Sequence, residues 1–437
     1  MFGIKRFIKK NISPPSFLFP EIDKDKFPKN PVSSLSFKAR IFSLEKELKK
    51  QKKYANFANL ITYPNEVVVN VWKRLLSYNP NNLGNWSISG QSGQDFFGTR
   101  IFEREVISKM IGLYHGNKQN LEGYITSGGT EANIFSAWMG RNYLKAQGQK
   151  KICLVKTSLT HYSIEKAADL VDVPTFIAPL NRKNWGMDVA GLEEIIINLH
   201  KKGFDGFLLP LTLGYTLTGT MDPYEKICQE IKKIKHKYKN INFFVWIDAA
   251  LNGLIEPFLN DKFAPFSHSE IQIILTDFHK FGFVPYPAGL VLYRKNLRKF
   301  IEKSVDYLKE KDNTVLGSRS GISAVACWAA IHSLGITGYK KIIDECLAQK
   351  TLFLDKINKS AGIEFISHPR SINGGIILKS QTDFKLINNL KRLGYYPAKI
   401  VIPFFDEKKE KKIIYKFFFL PNLDKNKLEY FFQEFAD

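Results

Sequence analysis

From Arg100 onward the apolar positions follow two alternating rhythms. One is the three-to-four spacing of a helix, as in Arg100 to Tyr114, with Ile101, Ile107, Met110, Ile111 and Tyr114 on one side. The other is a short uninterrupted apolar run. Helical spacing also predicts helices over Glu131–Leu144, Ile164–Leu170, Leu192–His200 and Asp222–Lys239. The apolar runs predict strands over Gly123–Ser127, Lys151–Thr157, Thr175–Leu180, Gly206–Leu211, Phe243–Ala249, Ile271–Asp277 and Gly289–Tyr293. Strands alternating with helices imply parallel βαβ units. Runs apolar throughout, rather than at every second position, mark strands covered on both faces.

Beyond about residue 295 the texture changes. Helices are expected over Leu297–Leu308, Ser323–Leu334, Tyr339–Lys356, Phe384–Arg392 and Lys425–Phe435, with short strands at Glu364–Ser367 and Gly374–Leu378 and an apolar Phe417–Pro421 near the end. At the other end, residues 11–35 carry Pro14, Pro15, Pro20, Pro28 and Pro31 and read as an extended arm. The division expected is an arm over 1–55, Pro- and Lys-rich and then helical, a large α/β domain over 56–300, and a small α+β domain over 301–437.

Composition narrows this only slightly. The chain has 437 residues, 44% hydrophobic and 24% charged, enough for a sizeable core. No run reaches the ~18 apolar residues of a membrane span, and the basic start lacks the apolar stretch of a secretory signal. The four cysteines form no CxxC pair, which fits a cytoplasmic protein without disulfides or a metal centre. The net charge of +22 is spread along the chain, without a finger, helix-turn-helix or RNP motif, so no specific nucleic-acid partner is expected.

Chemistry concentrates at three strand ends. Ile125-Thr126-Ser127-Gly128-Gly129-Thr130-Glu131-Ala132-Asn133 passes from strand to helix. Paired glycines admit close backbone approach and the helix start offers free N–H groups, a cradle for phosphate; a purely structural turn has the same look. Phe244 to Ala250 (FVWIDAA) ends a very apolar strand on Asp248, a carboxylate costly to bury without a cationic partner such as a protonated pyridine nitrogen; a helix cap is the plainer alternative. Ile274 to Lys280 (ILTDFHK) ends another on Lys280, whose amine burial would depress and ready for imine formation; a surface lysine is the plainer alternative there.

In order and spacing, TSGGTEAN, THYSIEKAA, WIDAALNG and TDFHKFGFVPYPAGLVLYR resemble the group II amino-acid decarboxylases that use pyridoxal 5′-phosphate (PLP). The segment from Val305 to Gly321 is similar to the branch of bacterial histidine decarboxylases and plant serine decarboxylases, with the archaeal tyrosine/aspartate enzymes close by. The resemblance spans roughly 55 to 435. It implies the fold of the PLP-dependent transferases (fold type I, aspartate aminotransferase-like), α/β with a mainly parallel central sheet. It also implies a homodimer with the site at the subunit interface, and roles for individual residues. Lys280 would hold PLP as a Schiff base, Asp248 would pair with the pyridine nitrogen, and Ala250 and His161 would lie on opposite faces of the ring. Gly128, Gly129 and Thr130 would hold the phosphate, with Asp277 and His279 on the phosphate side and Thr216 in contact with the cofactor. Ser318 and Arg319 would come from the partner subunit, and Tyr307 would return a proton to the substrate carbon. No metal is implied.

The expected reaction is decarboxylation of an L-amino acid to its amine, with histidine or an aromatic amino acid favoured. Alternatives are serine, tyrosine or aspartate as substrate, a carbon–carbon lyase, or an aldehyde-forming oxidative decarboxylase. Two departures bear on the substrate. The family's Asn-Gly-His after Gly-Ser-Arg is Ser320-Gly321-Ile322 here, and its Gly-Thr-Thr turn is Gly214-Tyr215-Thr216, expected to bring the bulky Tyr215 near the cofactor.

Overall fold

The computed structural model describes residues 34–53, 57–83, 97–305, 310–357, 363–378, 384–406, 409–421, 423 and 425–436. Chain order begins with α1 (Ser34–Lys53), α2 (Glu66–Leu75), β1 (Asn81–Leu83) and α3 (Phe97–Leu113). An alternating stretch follows: β2 (Leu121–Thr126), α4 (Gly129–Ala146), β3 (Ile152–Lys156), α5 (Tyr162–Leu170), β4 (Thr175–Ile177), α6 (Val189–Lys201), β5 (Gly206–Thr212), α7 (Tyr224–Lys237) and β6 (Asn242–Asp248). Then come α8 (Glu256–Leu259), β7 (Ile271–Thr276), α9 (Phe278–Phe281), β8 (Gly289–Arg294), β9 (Lys303–Val305), β10 (Glu310–Asp312), β11 (Ser318–Ser320) and α10 (Gly321–Ile357). The chain closes with β12 (Ile363–Ile366), β13 (Asn373–Leu378), α11 (Phe384–Arg392), β14 (Ala398–Pro403), β15 (Lys409–Phe418) and α12 (Lys425–Ala436).

The central sheet has seven strands in the order β2-β8-β7-β6-β5-β3-β4. All its pairings are parallel except those of β8, which runs antiparallel to both neighbours. The mainly parallel sheet is therefore as expected, with one reversed strand that repetition of βαβ units does not predict. Its apolar runs have a simple origin. Leu208, Phe244, Trp246, Ile273, Leu275, Val291 and Tyr293 point into one core with α4 and α5. Their sequence neighbours Leu209, Val245, Ile247, Ile274, Leu290 and Leu292 point into the other. Each strand is thus apolar at consecutive positions because each face meets a helical layer.

The later part differs more from expectation. Over 297–305 the expected helix does not form, and the rest of that expectation, to Leu308, lies outside the described residues. Leu297 and Ile301 are buried and Phe300 packs on Tyr143 of α4, so a short 3₁₀ turn (Lys295–Phe300) satisfies the apolar positions. β9 then pairs with β10 in an antiparallel ribbon. Ser323–Leu334 and Tyr339–Lys356 form one long α10 that breaks at Gly335, where φ is 59°. By length and composition α10 could cross a membrane. It is instead a kinked core helix, with Ile322, Ala326, Cys327, Ile343 and Cys346 buried and Trp328 meeting Phe102 of α3 edge-on. The second sheet, β12-β13-β15-β14, is wholly antiparallel. Its β14, and most of β15, are strands that the apolar pattern missed. The Pro-rich segment up to residue 33 lies outside the described residues. All four cysteines are buried and unpaired.

Candidate active site

The residues singled out by sequence follow the carboxyl ends of the central strands, the edge where open α/β sheets bind ligands. β2 leads into Gly128, β3 into His161, β6 ends on Asp248, and β7 leads into Asp277 and Lys280. β8 begins at the same edge, Gly289 lying opposite Thr126.

At the first strand end the backbone turns sharply at Gly128, with φ 152°, and α4 starts at Gly129. A Cβ on Gly128 would lie 2.7 Å from His279 Cε1; one on Gly129 would lie 3.1 Å from Asp277 Oδ2 and 3.3 Å from the Ala250 Cβ. The two glycines thus let three strand ends close on one another. Glu131, in the first turn of α4, accepts a hydrogen bond from Ser127 N (2.7 Å) and another from Tyr124 Oη (3.2 Å). Below the turn, Glu103 accepts from Ile125 N and the Arg319 guanidinium donates to Ile125 O, each at 2.8 Å. A buried Arg319–Glu103 ion pair completes that bracket.

Around Asp248 a continuous hydrogen-bonded chain crosses three elements. Trp246 Nε1 donates to Asn133 Oδ1 (3.0 Å). Asn133 Nδ2 donates to Asp248 Oδ2 (2.9 Å) and to Ser163 Oγ (3.0 Å). Ser163 Oγ in turn lies 2.8 Å from His161 Nδ1, which also accepts from Ser163 N. Because Nδ1 accepts the Ser163 amide, it carries no proton and the Ser163 hydroxyl donates to it as well. That assigns the ring proton of neutral His161 to Nε2. Burial, countered by Asp248, holds the His161 imidazole below its ordinary value.

At the third strand end Lys280 Nζ lies 2.9 Å from Asp277 Oδ2, with His279 Nε2 3.4 Å from the same oxygen. Burial raises the Asp277 carboxyl, but Lys280 and His279 outweigh it and hold the group down at about 2. Burial also lowers the Lys280 ammonium, but Asp277 and Asp248 outweigh it and the net direction is upward. This corrects the expectation of a depressed amine: the two carboxylates stabilise the charged form.

Lys280, Asp248, Ala250, His161, Gly128, Gly129, Thr130, Asp277 and His279 therefore lie along one edge. Thr216 has an exposed side chain and a carbonyl that accepts from Asn373. Ser318 is exposed on the β1–β11 ribbon. Arg319, expected to serve a partner's site, is buried within its own chain. Tyr307 lies outside the described residues. Tyr215 does not face the site: it is 1% exposed and its hydroxyl bonds Asp222. Sequence reasoning passed over Asn133 and Ser163. The available signal was spacing, since Asn133 is four residues after Gly129 and so on the same helical face.

These residues fit PLP. Asp277 Oδ1, Ser158 Oγ and Thr212 Oγ1 are buried without a hydrogen-bond partner among the described residues. Among the described residues Asp248 accepts only from Asn133 and Ala250 N, leaving lone pairs for a pyridinium. The glycine turn and the start of α4 suit a phosphate, and Lys280 supplies the amine.

The sequence matches the Pyridoxal-dependent decarboxylase conserved domain over residues 102–376. It is 32% identical to a tryptophan decarboxylase of Clostridium sporogenes over 65% of this chain and 68% of that one. It is 28% identical to a histidine decarboxylase of Vibrio campbellii over 67% and 72% respectively. The fold superposes on L-methionine decarboxylase from Streptomyces sp. 590 with a TM-score of 0.79, 17% identity and 96% and 98% coverage.

Proposed function

The chain belongs to the pyridoxal-dependent decarboxylases, and we propose that it acts on an aromatic or imidazole amino acid, with Lys280 as the attachment point for PLP. Its reaction is the PLP-dependent loss of the α-carboxyl group of an L-amino acid as carbon dioxide, leaving the amine. The observation that carries the residue assignment is the chain from His161 through Ser163 and Asn133 to Asp248, which fixes two groups of opposite role in one frame.

When bound, PLP supplies the electron sink that takes up the pair released as carbon dioxide departs. The protein supplies orientation and charge. Asp248, locked by Asn133 and the Ala250 amide, holds a proton on the pyridine nitrogen. His161 would stack on the bound cofactor and offer Nε2–H to the substrate carboxylate. Gly128, Gly129 and Thr130 would hold the phosphate, with His279 on the same side. Lys280 accepts and returns protons at Nζ, beside Asp277. The kinship with tryptophan and histidine decarboxylases supports a flat, unsaturated substrate side chain. The reading includes a homodimer with the site at the subunit interface. The apolar Ile41, Phe42, Leu44 and Leu48, exposed on α1, support it.

The test is a panel of tryptophan, histidine, tyrosine, serine and aspartate with the PLP-loaded protein, measuring carbon dioxide and amine. Turnover is expected with tryptophan, histidine or tyrosine. Turnover with serine or aspartate alone would overturn the substrate reading. Light scattering of the same sample checks the dimer.

A further inference from the structure

The turn that carries His161 is held from below by a residue that departs from the family pattern. Tyr215 follows β5 and its ring enters the core beside Leu159, Leu180, Trp185 and Phe404. Its hydroxyl donates to Asp222 Oδ1 at 2.7 Å and accepts from Thr157 Oγ1 at 2.8 Å. Thr157 in turn bonds Thr160 twice, through its hydroxyl (3.1 Å) and its amide (3.2 Å). Thr160 directly precedes His161, the N-cap of α5.

Both ends of this chain are rigid. Asp222 also accepts from Thr212 N and Met187 N, each at 2.7 Å, and Thr212 sits opposite Asp248 in the sheet. The Tyr215 backbone is closed on itself, its N donating to Thr220 O and its O accepting from Gly219 N. Asn373 of the second sheet also donates to Tyr215 O at 3.0 Å. A threonine in place of Tyr215 would be several ångströms too short to span from this turn to Thr157. The bulk that looked like an obstacle to the cofactor is therefore a strut directed away from it.

We infer that Tyr215 is a positioning residue for His161: its hydroxyl, clamped by Asp222, fixes the Thr157–Thr160 turn that sets the height and tilt of the imidazole. The inference rests on the proposed role of His161. Removing the hydroxyl cuts the bond that ties Thr157 to Asp222 through Tyr215 and leaves Thr157 bonded to Thr160, so the turn gains freedom while the β5 end keeps its own bonds. A loss of about an ångström of definition in a stacked group costs turnover more than substrate binding.

The experiment uses full-length protein with ¹³C-labelled histidine, with and without PLP, and assigns the His161 signal through His161→Asn. Tyr215→Phe and Thr157→Val are each expected to shift or broaden that signal in both forms. Each should lower kcat roughly tenfold with KM changed less than about twofold, and the double variant should be no worse than either single. Thr157→Ser, which keeps the hydroxyl, restores both readouts. A His161 signal and kcat unchanged in both Tyr215→Phe and Thr157→Val, whatever happens to thermal stability, would overturn the inference. Full activity in His161→Asn would instead overturn the proposed role of His161, whatever Tyr215 does.

Discussion

Lys280 and Lys350 both reach into this molecule, and their surroundings could hardly differ more. Lys280 ends the apolar β7 segment with its Nζ beside the Asp277 carboxylate and its side chain 24% exposed. Lys350 lies inside α10, is 4% exposed, and donates to the carbonyls of His368 (2.6 Å), Ser371 (2.7 Å) and Pro369 (3.3 Å). Burial pushes the Lys350 ammonium down to about 8, whereas carboxylates hold Lys280 up. A depressed pKa alone would therefore pick out the wrong lysine. The lysine proposed to hold PLP is marked by a partner with an open valence, Asp277 Oδ1. The structural one has all three of its donors saturated by backbone.

The contrast can be broken most forcefully at Lys280. Lys280→Ala is expected to cut turnover by at least about a thousandfold. Lys350→Met should leave turnover per folded molecule within about threefold. Carbon dioxide release, normalised to the folded fraction by circular dichroism, checks both. Asp248→Asn keeps the shape but not the charge, and should lower turnover by about a hundredfold; single-turnover assays separate this from weaker PLP retention.

The reverse comparison concerns stability. Lys350→Met strands three carbonyls and is expected to cost on the order of 1–3 kcal/mol in urea unfolding. A smaller effect is its pH dependence. The folded value of Lys350, about 8, is below the unfolded value of roughly 10.4. Between these the unfolded chain binds more protons, so stability rises with pH. The penalty for burying the charge is complete below pH 8 and is relieved as pH climbs toward 10.4. Relative to Lys350→Met, the parent protein should thus gain stability across that window, by on the order of 1–2 kcal/mol. A flat difference between pH 7 and 10 would show that the three carbonyls fully offset the desolvation.

The same contrast explains what sequence could and could not reveal. Asp248 and Lys280 stood out because a charge closing an uninterrupted apolar strand is conspicuous. The central strands themselves were legible because both faces are covered. β14 and β15 were not: Lys399, Lys409, Lys411 and Lys412 interrupt the apolar positions of a sheet exposed on one face. Asn133 and Ser163 look like ordinary helix-start residues, and only folding brings Asn133 to Asp248, 115 positions away. For Tyr215 the sequence showed size and place but not direction, and direction decides whether it blocks a ligand or braces a loop.

The reversed strand has a consequence for how the chain is made. β2 lies at the edge of the central sheet, and among the described residues β8 is its one strand neighbour. Residues 121–126 are all buried in the finished protein, yet their one neighbour, residues 289–294, leaves the ribosome much later. At ordinary rates of synthesis that interval is on the order of ten seconds or more. For that time the strand leading into the glycine turn has no partner strand, and the cradle is incomplete. The site is therefore among the last parts of the sheet to close, and a nascent chain halted before residue 289 would present an apolar edge to chaperones while lacking a place for the phosphate.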